Sequence, residues 1–175
     1  MDLTEPMNAA DHALGNAGAR VVVVEYGDFE CPNCKQAAPA VEMLMKRFEG
    51  QVRFVYRHFP LEEVHRHALQ AAEAAECAGA QNKFWDIHRM LFDHQHALEV
   101  ADLRGYAPHI GLDMARFAME MTDRVHLPRI RRDIDSGKRS GVRSTPGFFV
   151  HGMRRDVSFG LRVLFDAAEA ALERD

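Results

Sequence analysis

The stretch Val21-Val22-Val23-Val24-Glu25-Tyr26-Gly27-Asp28-Phe29-Glu30-Cys31-Pro32-Asn33-Cys34 decides the fold. Its first six residues form an apolar run with one acid inside it, the pattern of a strand buried on both faces of a mostly parallel sheet. Gly27 and Asp28 supply a turn. Two cysteines then stand two residues apart, and beyond them Val41, Leu44, Met45 and Phe48 recur at the i, i+3, i+4, i+7 spacing of an amphipathic helix. The cysteine pair therefore sits where a strand hands over to a helix. Pro39 lies within that helix and predicts a kink, because it has no N–H for the carbonyl four residues earlier.

Unpaired amides and the positive end of the dipole at a helix N-terminus favour an anion. A thiolate is such an anion, and cysteines so placed have pKa values lowered from about 8.5 into the range of roughly 3.5 to 7.5. Cys31 is thus the expected nucleophile. Cys34, one turn further in, is the expected resolving thiol. The competing readings are a static disulfide and half of a metal site. A four-ligand metal site needs a second pair of Cys or His ligands at knuckle spacing, and the sequence has none, so no metal and no cofactor are expected.

The length of 175 residues suits one domain with an insertion. A hydrophobic share of 47% supplies a core, and a formal net charge of -4 argues against a nucleic-acid partner. Arg124, Arg129, Arg131, Arg132, Lys138, Arg139 and Arg143 make one basic-leaning segment, read as a solvated helix face. The first twenty residues lack the basic flank and apolar core of an export signal, and no stretch is long and apolar enough to span a membrane. The three cysteines, Cys31, Cys34 and Cys77, leave one thiol over, which fits a reducing compartment. The expected location is the cytoplasm, with no membrane partner.

From Gln51 to His58, Val52, Phe54 and Tyr56 alternate with Arg53, Val55 and Arg57, which predicts a second strand. Helical signals then cover His65–Ala78, Phe84–Phe92, Glu99–Ala107, Asp113–Met121 and Val125–Ser136, with Pro128 blurring the start of the last. Strand character returns at Gly147–Val150, with His151-Gly152 as a tight turn and a return strand over Met153–Val157. Ser158 is placed to cap a final helix whose apolar face is Leu161, Leu164, Phe165, Ala168 and Leu172. The expectation is an α/β fold: residues 1–60 and 141–175 form one domain, and residues 61–140 an inserted helical subdomain.

Asp11-His12 through Cys34, Arg57-His58-Phe59-Pro60, the Ala-rich helix around Cys77 with Phe84-Trp85 after it, and Gly141-Val142-Arg143-Ser144-Thr145-Pro146-Gly147-Phe148-Phe149-Val150-His151-Gly152 occur in the order of a known family. Together they resemble the DsbA-like branch of the thioredoxin superfamily, over nearly the whole chain. The resemblance implies a thioredoxin fold interrupted by a helical subdomain, and a protein disulfide oxidoreductase. It makes Cys31 the nucleophile, Cys34 the resolving thiol, and Pro146 a loop proline facing the pair in cis. Thr145 would offer its backbone to an extended substrate segment, with Pro32 and Asn33 on the substrate side. Glu25 would be a buried acid beneath the pair, its pKa raised by burial and suited to relay a proton for Cys34. Partners would be protein or small-molecule thiols and disulfides, with a further partner to recycle the pair.

Cys77 reads as a small buried hydrophobe. The histidines read as solvated or core residues, since His65 and His67 are two apart and do not face one another on a helix. His58 and His151 are candidates to approach the redox centre. Trp85, Phe84, Met114, Met119 and Met121 read as subdomain core rather than a substrate groove. Two alternatives stand beside disulfide exchange: soft-metal binding, zinc or copper, by the dithiol, and a glutathione-dependent isomerase or transferase on a related fold.

Overall fold

A computed structural model describes residues 2–174. The strands are β1 (His12–Leu14), β2 (Val21–Gly27), β3 (Val52–His58), β4 (Gly147–Val150) and β5 (Met153–Arg155). They form one sheet in the order β1-β3-β2-β4-β5. Only β2 and β3 run parallel; the other pairs are antiparallel. The helix α1 (Pro32–Arg47) connects β2 to β3. Between β3 and β4 the chain is helical: α2 (Ala68–Gly79), α3 (Phe84–Asp93), α4 (Val100–Tyr106), a 3-10 turn over Ala107–Ile110, α5 (Met114–Thr122) and α6 (Leu127–Arg139). The last helix is α7 (Arg162–Glu173).

The pleat of β2 divides its side chains between two covered faces. Val21 and Val23 join Phe54, Tyr56, Phe148 and Val150 in a core that takes in α1 and α7 and runs on through α2, α3 and α5. Val24 and Tyr26 face the other way, with Val55 and Phe149, onto Ile130 and Ile134 of α6. That double cover is why the valine run carries no alternation. Gly137 lets α6 close down, since a Cβ there would stand 2.7 Å from the Phe59 ring.

Several expectations shift. Gly27 is the last residue of β2 rather than part of a turn, and a Cβ on it would sit 2.4 Å from the ring of Tyr56. Helix α1 continues through Pro39; the carbonyl that loses its bond belongs to exposed Lys35. Pro128 falls in the first turn of α6, where a missing N–H costs nothing. Helix α7 starts at Arg162 with Leu161 before it, so Ser158 caps nothing; its N–H donates to Asp156 Oδ1 at 2.9 Å.

Arg57, expected on the polar side of β3, is 2% exposed. It donates to both carboxylate oxygens of Asp11, at 2.9 and 2.8 Å, and to the Tyr26 hydroxyl and the carbonyls of Glu5 and Pro6. These bonds strap the N-terminal segment to the sheet. The basic segment is a solvated face as read, with Arg124, Arg131, Arg132, Lys138, Arg139 and Arg143 exposed, although most of its charges find carboxylate partners. Arg124 pairs with Glu73, Arg129 with Glu76, Arg131 with Glu62 and Arg139 with Glu5.

Candidate active site

Cys31 is the N-cap of α1, with Pro32 as the first helical residue. Its carbonyl accepts from the N–H groups of Cys34 (3.1 Å) and Lys35 (3.2 Å), and its own N–H donates to Asp28 O at 3.1 Å. Both thiols are free; Cys34 is fully covered, whereas Cys31 keeps 5% of its surface. This asymmetry separates their chemistry. The hydrogen bond from Cys34 is the main cause that lowers the Cys31 pKa to about 5; Thr145 and the N–H groups of Cys34 and Asn33 add to it against the cost of burial. Burial, the bond given to Cys31 and the charge of Glu25 push Cys34 well above the usual thiol range.

The Thr145–Pro146 peptide is cis. Cys31 Sγ lies 3.4 Å from Thr145 O, so the loop before β4 meets the start of α1. Apart from the Cys31 sulfur, the buried hydroxyl of Thr145 has no partner among the described residues. Glu25 is 3% exposed and sits on the α1 side of β2, flanked by Tyr56 and Phe148 in register. Burial first, and the Cys31 charge second, raise its pKa to about 8. Cys31, Cys34, Thr145, Pro146 and Glu25 thus lie in one neighbourhood; Pro32 and Asn33 are exposed beside it.

Sequence reasoning missed the residues that hold this loop. Asp28 Oδ1 accepts from Glu30 N at 2.7 Å, while its Oδ2 accepts from Leu61 N at 2.9 Å and lies 2.8 Å from His65 Nδ1. Glu30 accepts from His67 N at 2.7 Å and lies 2.8 Å from His67 Nδ1. His65 and His67 are therefore neither free in solvent nor core; each grips an acid of the loop before Cys31. The side-chain amide of Gln95 donates to Phe29 O and Cys31 O, both at 2.9 Å, tying the segment after α3 to the N-cap. Apart from the local bond between Glu30 and Asp28, nothing nearby in sequence signals these bonds, which span between 33 and 66 positions of chain.

Other histidines form a second cluster. His12 and His58 place their Nε2 atoms 2.8 and 2.6 Å from Glu76 Oε1. Arg129 Nε stands 2.8 Å from Oε2, an ion pair whose N–H is not aligned for a hydrogen bond. Burial opposes charge on Glu76, but the bonds from the two histidines outweigh it and hold the carboxyl well below the usual range. These three side chains, like Cys77, Glu120 and His126, have the spacing of metal ligands. With Arg129 already on Glu76, the first group is satisfied as a neutralised internal carboxylate. Cys77 is 1% exposed, and burial, with Glu120 next, pushes its thiol up to about 12. His151 is exposed in the β4–β5 turn, away from the pair, and Met119 is 53% exposed rather than core.

Residues 7–161 match the family model described as thioredoxin. A thioredoxin-like oxidoreductase from Silicibacter pomeroyi DSS-3 superposes with a TM-score of 0.81 at 26% identity, over 95% of this chain and 94% of that one. Oxidised BdbD from Bacillus subtilis gives 0.78 at 22% identity, covering 93% and 90%. Among curated proteins, the Na(+)/H(+) antiporter NhaA 1 of Salinispora arenicola is 46% identical over 172 residues, which is 98% of this chain but 26% of that protein. The chain spans about a quarter of the length of the curated relatives it matches. With the cysteine pair at the start of α1, the cis peptide beside it and a helical block between β3 and β4, the chain belongs to the thioredoxin superfamily.

Proposed function

We propose that the chain exchanges disulfides with protein thiols through Cys31 and Cys34. The observation that carries this reading is the asymmetry of the two thiols: Cys31 caps α1 at the rim, 3.4 Å from Thr145 O beside the cis peptide, and Cys34 is fully covered beneath it, which favours a thiolate on the first and a proton on the second. The Cys31 thiolate attacks one sulfur of a substrate disulfide; an S–S bond forms to Cys31 and the other substrate sulfur leaves as a thiolate. Cys34 then loses its proton, attacks the Cys31 sulfur and expels the second substrate thiolate, so that two electrons pass to the substrate and a Cys31–Cys34 disulfide remains. The ionised form of Glu25 is the acceptor for the Cys34 proton. Once Cys31 is in the mixed disulfide its charge is gone, and with it one of the two causes that keep Glu25 protonated. Thr145 and Pro146, with Pro32 and Asn33 opposite, would receive the substrate segment. Run in reverse, the same steps oxidise a dithiol.

The antiport named for the longer relatives is not carried over to these residues. No helix among the described residues is long and apolar enough to cross a membrane. We place the exchange in a reducing compartment, as the odd thiol Cys77 favours. Insulin reduction with dithiothreitol tests the activity: Cys31→Ser abolishes it, and a variant that keeps wild-type rates sinks the proposal. Stoichiometric zinc or copper in gently purified protein, with Cys31 unreactive towards iodoacetamide, would instead establish the soft-metal alternative.

A further inference from the structure

Behind the redox pair, between α1 and α3, lies a cavity of about 620 Å³ that the exchange reaction does not use as a substrate groove. Its size is that of a small-molecule site. Val41, Met45 and Phe54 form one wall, and Trp85 and Phe92 the other. Lys35 and Glu42 of α1 and Arg89 and Asp93 of α3 also line it, two charges of each sign, so no net charge selects an ion.

Besides these four charged side chains, two buried polar groups line the cavity. Glu25 contributes to the wall from the centre of the sheet, and its Oε1 has no hydrogen-bond partner among the described residues. His88 lines the cavity as well; its Nε2 is shut off from solvent and is likewise without a partner. Trp85, read from sequence as subdomain core, is half-buried and faces this space. A buried polar atom left unpaired is costly, and an occupant able to pair with it recovers that cost.

We propose that this cavity is a binding site for a small neutral molecule with a flat apolar body and one hydrogen-bond acceptor, which the carboxylic acid of Glu25 satisfies. Neutrality follows from the balanced lining. An acceptor follows from Glu25, whose buried Oε1 is unpaired and whose carboxyl, with its pKa near 8, is mostly a donor at neutral pH; burial pushes His88 down to about 3, leaving an uncharged ring that adds no charge to the lining. A flat body follows from the rings of Trp85 and Phe92. Binding of this kind needs no redox turnover, so it stands or fails separately from disulfide exchange.

A suitable probe is 6-propionyl-2-dimethylaminonaphthalene, a neutral naphthalene with a single ketone acceptor whose emission shifts to the blue in apolar surroundings. Titrated into the full chain under reducing conditions, it should saturate at one per chain with blue-shifted emission. Trp85 is the single tryptophan of the sequence, so its emission should be quenched almost completely along the same curve. Ala38→Phe, which projects a ring into the cavity, should abolish saturable binding. Glu25→Leu should weaken it roughly three- to tenfold, the worth of one hydrogen bond. Non-saturable binding, or saturation that leaves Trp85 emission largely intact, overturns the proposal on the wild-type protein alone, whether or not Ala38→Phe folds. So does unchanged affinity in a folded Ala38→Phe or in Glu25→Leu.

Discussion

Replacing Cys34 by alanine should raise the pKa of Cys31 from about 5 to between about 6 and 7. The hydrogen bond from the Cys34 thiol is the largest of the causes that hold Cys31 down. A hydrogen bond to a charged group is worth about 1.5–3 kcal/mol, and 1.36 kcal/mol is one pKa unit, so its loss moves the titration by roughly one to two units. Alanine keeps the backbone N–H at position 34, and the contributions of Asn33 and Thr145 are untouched, so Cys31 stays more acidic than an ordinary thiol. The assay is thiolate absorbance against pH, with Cys31→Ser as the blank and the rate of iodoacetamide labelling as a second readout. A midpoint that stays near 5 would refute the reasoning, because the helix start alone would then account for the acidity. The shift has a redox consequence. At pH 7 a thiol of pKa 5 lies two units into its thiolate, which favours the dithiol by about 2.7 kcal/mol and raises the reduction potential by up to about 60 mV; solvent screening at the rim makes this an upper bound.

Two further perturbations probe the surroundings of the pair. Glu25→Gln should change how stability depends on pH in the reduced protein. The carboxyl titrates at about 8 in the fold against 4.5 for an ordinary glutamate, so its contribution is intact below pH 4.5 and is lost as pH rises through 8. The difference of 3.5 units corresponds to roughly 5 kcal/mol. The unfolding free energy of Glu25→Gln minus that of the wild type, from urea titrations, should therefore grow across that window and level off above it; a flat difference would mean that Glu25 is hydrated. Gln95→Leu removes two donors from the carbonyls of Phe29 and Cys31. It should cost about 1–3 kcal/mol and speed amide hydrogen exchange in the first turn of α1, and an unchanged exchange rate there would show that Gln95 does not hold the N-cap.

The parts of the fold legible in the sequence are those whose reason is local. Four valines followed by an acid announce β2, because a strand covered on both faces has no reason to alternate, and the apolar spacing after Cys34 announces α1. The short strand β1 left no signal: three residues, His12–Leu14, owe their conformation to pairing with β3 forty or more positions away. Arg57 misled for a related reason. A charged residue in an alternating run reads as solvent-facing, and only Asp11, brought across from the N-terminal segment, makes its burial tolerable. The histidines follow the same logic, since His65 and His67 acquire their role from Asp28 and Glu30, a helix and a strand away. The cysteine pair stood out because its chemistry lies within four residues. Its supports did not, because hydrogen bonds from Gln95 or His65 are contacts of topology and not of pattern.

Glu25 and Cys31 also oppose each other as pH changes, and that opposition belongs to one redox state only. In the dithiol form Cys31 titrates at about 5 in the fold against 9.0 for an ordinary thiol, so its contribution is present above pH 9 and is lost as pH falls through 5. Four units amount to about 5 kcal/mol gained as pH rises, again an upper bound for a sulfur at the rim. Glu25 loses a similar amount over nearly the same range, so the two nearly cancel and the reduced fold should show a shallow pH profile. Oxidation removes the Cys31 charge from both the folded and the unfolded chain. It leaves the larger cause of the Glu25 shift, burial, in place. The oxidised protein should therefore lose stability as pH rises from 4.5 towards 8 while the reduced protein does not, and the gap between the two forms should widen accordingly. Urea titrations of both forms across that range check this, and parallel profiles would show that the acid and the thiolate are not coupled through the fold. A buried acid beneath the nucleophile thus does more than hold a proton: it makes the preference for the dithiol depend on pH in a way that neither group alone would give.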